Sequence, residues 1–172
     1  MTLRRRTVLL APLALAGTAA HADTPRVLRL SDAPPWLDRL EAARGVRTSG
    51  AWPLAAVLAH LAQSIEMSLD GYPAPRSALF QQTLGVGAFA FFAWRGRMSH
   101  PLDEPIPGAP ALPREGDDWR AAAQRLRAAI ARFEAHGGAL RPHFAYGALD
   151  KAQYRLAHAM HIANHQDEIV LA

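Results

Sequence analysis

The sequence predicts an all-α protein, a bundle of four long helices with a short extra N-terminal helix and a long Pro-rich crossover loop. Half of the 172 residues are hydrophobic, and Ala, Leu and Arg richness with few β-branched residues favours helix over sheet. Apolar residues recur at helical spacing, and no stretch alternates convincingly. Helix-starting and helix-stopping residues bracket the periodic stretches. The length suits one domain with a proper core.

The chain opens with Arg4-Arg5-Arg6, a short apolar run from Thr7 to Ala16, and Ala20-His21-Ala22. A charged start, an apolar middle and an A-x-A end make a secretory signal over residues 1–22, with cleavage before Asp23. Arg5-Arg6-Thr7-Val8-Leu9 resembles the twin-arginine signal, the route that carries proteins already folded. An ordinary Sec signal with three arginines is the alternative. On either route the single domain, residues 23–172, is expected to be periplasmic or otherwise extracytoplasmic. Charges interrupt every later apolar run, so no membrane anchor is expected after cleavage.

Removing the three leader arginines from 19 basic residues leaves 16 against 15 acidic ones. A surface so balanced gives no reason to expect nucleic acid. The partners that remain are a small-molecule ligand and a second copy of the chain. The absence of cysteine excludes disulfides, thiolate ligation and a thiol nucleophile.

The short first helix is expected near Pro35–Ala43, between Asp32 and Gly45. The second opens with Pro53 and runs to Leu69, where Gly71 stops it. The third follows Ser77 and reaches about Trp94; Gly85 and Gly87 inside it suit a close helix approach or a local kink. The fourth starts at Asp117-Asp118 and ends before Gly137-Gly138. The fifth starts at Asp150, which forms a capping box with Gln153, and ends near Val170. Between the third and fourth, Met98 to Gly116 holds Pro101, Pro105, Pro107, Pro110 and Pro113. A loop this long is either packed over a site or a plain crossover strap.

The last helix carries His158, His161 and His165 within roughly a 60° arc. His161 and His165, at i,i+4, can converge on one ion. His158 and His165 stand about 10 Å apart along the axis and cannot readily share one. The ligand pair is therefore His161–His165, or alternatively His158–His161. Two imidazoles rarely suffice, and His60 lies in the middle of another long helix with Ala56, Val57 and Met67 on its face. Gln63 and Ser64 interrupt that apolar stripe. Such histidines also occur as hydrogen-bonded core residues in bundles without metal, so spacing alone leaves both readings open.

Trp52 to Pro73 reads WPLAAVLAHLAQSIEMSLDGYP, His143 to Gln166 reads HFAYGALDKAQYRLAHAMHIANHQ, and FQQTLGVGAFAFFAWRGRMSHPLDEPIPGAP lies between them. These segments resemble the domain-of-unknown-function family 1569, within the DinB-like metal-binding helical bundle superfamily. The resemblance covers nearly all of the domain and implies a DinB-like four-helix bundle. It also implies a divalent-metal site made by His60 with the H-x-x-x-H pair His161 and His165. Some members of the superfamily are similar to thiol-dependent transferases or isomerases, and others have no known activity.

Three neutral imidazoles suit zinc, nickel or iron and leave a coordination position open, as catalytic zinc sites do. Residues that could orient the ligands or meet a substrate are His158, His143, Tyr146, Tyr154 and Glu66, with His100 in the Pro-rich loop. Glu66 is turned about 120° from His60, which also suits a salt bridge to a neighbouring helix. No residue is identified as catalytic. The function expected is a metal-dependent transferase or hydrolase, with a non-catalytic metal- or ligand-binding bundle as the alternative. A third reading is a structural bundle whose histidines only hydrogen-bond one another. Nucleophile elbows, phosphate loops and dinucleotide fingerprints are missing.

Overall fold

A computed structural model describes residues 25–171; the expected signal peptide and its cleavage point lie outside the described residues. The described residues are mostly helical, with one small two-stranded sheet among them. A 3₁₀ turn, Leu30–Asp32, leads into α1, Ala33–Ala42. Prolines in its first turn fit a place where backbone N–H groups have no helical partner. Trp36, Leu37 and Leu40 of α1 are buried.

The central element is α2, Leu54–Asp70, of which only Glu66 and Asp70 are not buried. A helix this apolar around its circumference must be enclosed by its neighbours. It packs most extensively along α5, Trp119–Ala135, whose Ala122, Ala123, Leu126, Ala129, Ile130 and Phe133 face the core. Alanines at that contact let the two backbones approach closely. The last helix, α6, Lys151–Gln166, also packs on α2. Asp150 and Gln153 close the expected capping box at its start.

Three details differ from the sequence expectation. The third helix is broken into α3, Ala78–Phe80, a π turn, Gln81–Gly85, and α4, Val86–Arg95. A Cβ at Gly85 would collide with the backbone carbonyl of Ala145, so glycine permits this segment to lie against the turn before α6. The segment packs by one edge, burying Phe89 and Gly85 while Leu79, Leu84 and Trp94 stay exposed. Secondly, α6 ends at Gln166 and not near Val170. The chain then turns so that β2, Ile169–Leu171, pairs antiparallel with β1, Val46–Thr48. Strands of three residues are too short to show alternation, which is why no sheet was expected.

The Pro-rich loop is strapped over the open side of α2 and α6. Its Ile106 packs with Met67 and Tyr72. Gln63 of α2 donates from Nε2 to the carbonyl of Pro110 at 3.0 Å. Asn164 of α6 donates to the carbonyl of His100 at 3.5 Å. Among the described residues, no helix is long and apolar enough to cross a membrane.

Candidate metal centre

His60 projects from the middle of α2, and His161 and His165 from the last two turns of α6. Contact between these two helices brings the three imidazoles together. One nitrogen from each lies within 4.8 Å of the others; His60 and His165 are buried, and His161 is half-buried where it borders the cavity described below. The Nε2 atoms of His60 and His161 are 3.1 Å apart. Nitrogens bound to one ion at about 2.0–2.1 Å, at the tetrahedral angle, stand about 3.3 Å apart, so the separation suits a shared ion.

The outer nitrogens of two of the three rings are anchored, while His60 Nδ1 is buried without a partner. His165 Nδ1 donates to Glu168 Oε1 at 2.6 Å, and His161 Nδ1 pairs with Ser64 Oγ at 3.2 Å. Each bond fixes a ring and directs its Nε2 inward, the usual arrangement around metal-binding histidines. A Cβ on Gly50 would collide with Glu168 Oε2, so the glycine leaves room for the carboxylate. Trp52 walls the centre, edge-on to His60 at 5.1 Å and stacked over His165 at 6.3 Å between ring centres.

Burial, with the neighbouring His165 and His100 adding to it, lowers the pKa of His60 to about 3. Burial also holds His161 well below its ordinary value, with His60 and His165 contributing. Both rings therefore keep lone pairs available across the neutral range. A purely hydrogen-bonded cluster can satisfy the His60–His161 contact, with one Nε2–H donating to the other nitrogen. It leaves His165 Nε2 buried without a partner, a penalty of about 1–3 kcal/mol. An ion removes that defect, so the donor set fits a divalent metal better than it fits a network of imidazoles alone.

A cavity of about 230 Å³ extends from this cluster. His60, His161 and His100 line one part of it, and His143, Tyr146 and His158 another. His143 Nδ1 accepts from the backbone N–H of Ala145 and Tyr146, at 3.2 and 3.1 Å. The proton of the neutral ring therefore sits on Nε2, which becomes a donor. The ring stacks on Tyr146 with centres 4.3 Å apart. Burial lowers His143 to about 3, with His158 contributing, and lowers His158 itself to about 3. It raises Tyr146 to about 12. His158 lies between Tyr154 and Phe133, and its Nε2 is buried without a hydrogen bond.

Two sequence-selected residues stand apart from the cavity wall. Tyr154 is fully buried and donates its hydroxyl to the carbonyl of Arg141 at 2.6 Å, bracing the chain before α6. Glu66 receives two hydrogen bonds from Arg125 of α5, at 2.9 and 2.7 Å; its role is the helix-to-helix salt bridge. Glu168 and Ser64 were not singled out as partners of the ligands. An acidic residue three positions beyond the last histidine, and a serine four beyond His60, were the signals available.

Comparison with curated proteins and with solved structures finds no match. The family described as "Protein of unknown function (DUF1569)" matches residues 26–171, nearly all of the described chain, and this protein belongs to it.

Proposed function

We propose that this protein is an exported, metal-dependent transferase or hydrolase acting on a small molecule outside the cytoplasm. The scaffold in this reading is a DinB-like four-helix bundle, delivered by a twin-arginine leader to the periplasm or an equivalent compartment. His60, His161 and His165 hold a divalent zinc, nickel or iron ion. That ion supplies Lewis acidity, polarising a substrate oxygen or lowering the pKa of a bound water.

The observation that carries the proposal is the cavity opening directly from the imidazole cluster. A site meant only to store or carry an ion has no need of such a space, whereas substrate must reach the metal in an enzyme. His143, with its proton on Nε2, offers a donor inside that space. The neutral His158, its Nε2 unpartnered, offers a further polar contact for the part of a ligand distant from the metal. Tyr146 keeps its phenolic proton at any physiological pH and can donate but not act as a base. The mainly apolar remainder of the wall excludes water and favours a small organic substrate.

The test is elemental analysis of protein purified from its native compartment, beside His60→Ala and His161→Ala/His165→Ala variants. Near-stoichiometric metal in wild type and its loss in the variants supports the centre and directs substrate screening. Equal metal in all three rejects it. A loaded centre that turns over no compound across transferase and hydrolase panels favours the alternative, a metal- or ligand-binding bundle without catalysis.

A further inference from the structure

The Pro-rich strap brings a fourth imidazole to the cluster. The ring centre of His100 is 5.0 Å from His161 and 5.4 Å from His165. Separations within the triad are 4.9 Å for His60–His161 and 5.1 Å for both His60–His165 and His161–His165. His100 is thus nearly as close to two of the ligands as they are to each other. Its distance to His60 is larger, 6.5 Å.

These six numbers can be compared with what one ion would impose. A ring bound through nitrogen at about 2.0–2.1 Å has its centre about 3.2 Å from the ion. Two such rings stand about 5.2 Å apart at the tetrahedral angle. Five of the observed separations, 4.9–5.4 Å, lie close to that value, and the His60–His100 separation of 6.5 Å exceeds it. Four rings in a closed tetrahedron would give six equal separations. The triad meets that condition as it stands, and His100 meets it toward His161 and His165 but not yet toward His60.

The chemistry of the ring agrees. His100 Nδ1 lies 2.7 Å from the carbonyl oxygen of Pro101. A carbonyl only accepts, so Nδ1 carries the proton and Nε2 keeps its lone pair. Burial lowers the His100 pKa, which maintains that neutral form. This is the same device that Glu168 provides for His165: an outer acceptor selects the tautomer in which Nε2 can ligate. The loop is held at His100 itself, by Asn164 at its carbonyl, and further along by Gln63 at Pro110.

We propose that His100 is a fourth nitrogen ligand, delivered by the Pro-rich strap. The inference rests on the metal-centre reading above. His100 is not among the three residues whose nitrogens lie within 4.8 Å of one another, so ligation includes a closing of its ring toward the ion. The strap is then part of the coordination sphere, and strap position and metal occupancy are coupled.

The experiment uses the full mature protein and cobalt(II) as the probe, comparing wild type with His100→Gly and His161→Ala. Wild type is expected to take up one equivalent of cobalt, and His161→Ala to take up none at the same concentration. His100→Gly is expected to bind on the order of 100-fold more weakly, at or beyond the upper end of what losing an outer-shell partner costs. Its visible absorption should change, and added imidazole should restore both affinity and spectrum by occupying the vacated space. Melting of the metal-free proteins checks that the fold is intact; if the glycine variant melts early, His100→Gln is measured in its place, with loss of affinity and an altered spectrum expected. Wild-type affinity and an unchanged spectrum overturn the proposal. So does a weakened affinity with an unchanged spectrum, or one that imidazole leaves unrestored in His100→Gly, since the loop would then act only as support. Failure of wild type to bind cobalt overturns the metal-centre reading itself and this inference with it.

Discussion

Glu168 and Ser64 show how the imidazole cluster depends on residues outside it. Glu168 holds His165 at 2.6 Å and has its second oxygen buried without a partner. A carboxylate is enclosed there at some cost because it fixes a ring and raises its basicity. Replacing it as Glu168→Gln is expected to lower zinc affinity about 10–100-fold, read by competition with a chromogenic chelator. The melting temperature of the metal-free protein should hold or rise, because a buried charge has been removed. A second prediction concerns acid. His143 and His158 have their pKa values lowered to about 3, mainly by burial, whereas an unfolded histidine titrates near 6.5. Between those values the unfolded chain binds more protons, so stability falls as pH falls through that window. Each of the two removes about 1.4 kcal/mol by pH 5.5 relative to neutral pH. Metal-free protein should therefore melt at lower temperature at pH 5.5 than at 7.5, and His158→Leu should reduce that dependence by about one proton. At this scale the pair His161–His165 was legible because i,i+4 spacing makes a geometric statement by itself, whereas His60, marked only by its place in another long helix, joined it through the family resemblance. Ser64 was read as a flaw in an apolar stripe, since periodicity records hydrophobicity and is blind to a hydroxyl placed to meet an imidazole from another helix.

The elements were legible in proportion to their local signals. Pro53 and Gly71 bracket α2, and Asp150 with Gln153 opens α6, because capping chemistry is written in adjacent residues. The sheet was not legible, since Val46 and Leu171 pair across almost the whole described chain. The end of α6 was lost for the same reason: only that distant pairing explains why the helix yields at Gln166. Gly85 lies between these cases. A glycine inside a helical pattern signals a kink or a close approach, and here a π turn and a backbone contact coincide. Gly85→Ala is expected to destabilise by about 1–3 kcal/mol, because the opposing atom is a backbone carbonyl that cannot rotate away. Hydrogen exchange should show the amides of the turn at residues 143–147 opening before those of α2. Unchanged protection there would mean the contact with Ala145 is not what holds the turn.

At the scale of the whole molecule, the cluster joins segments that are distant in sequence: α2, α6, the chain just before β2 and the strap. An ion held there binds the folded state and not the unfolded chain, so it stabilises every segment at once. Zinc at about 100 times its dissociation constant should add about 2.7 kcal/mol, a rise of roughly 5–10 °C in melting temperature for a domain this size. Chelation should reverse the rise, and His161→Ala/His165→Ala should show none, as followed by thermal melts monitored by circular dichroism. The strap could be identified as a loop but not placed, because its prolines carry no periodicity from which a direction can be read. Those same prolines have a thermodynamic meaning. Each of Pro101, Pro105, Pro107, Pro110 and Pro113 restricts the unfolded chain, saving about 0.4–1 kcal/mol of ordering entropy where the folded backbone accepts it. None has an N–H to satisfy, so the segment can cross the mouth of a cavity without a sheet or helix to complete its hydrogen bonding. The strap thus behaves as a stiff beam already straightened before folding, and the small number of hydrogen bonds from Gln63 and Asn164 is enough to aim the imidazole it bears.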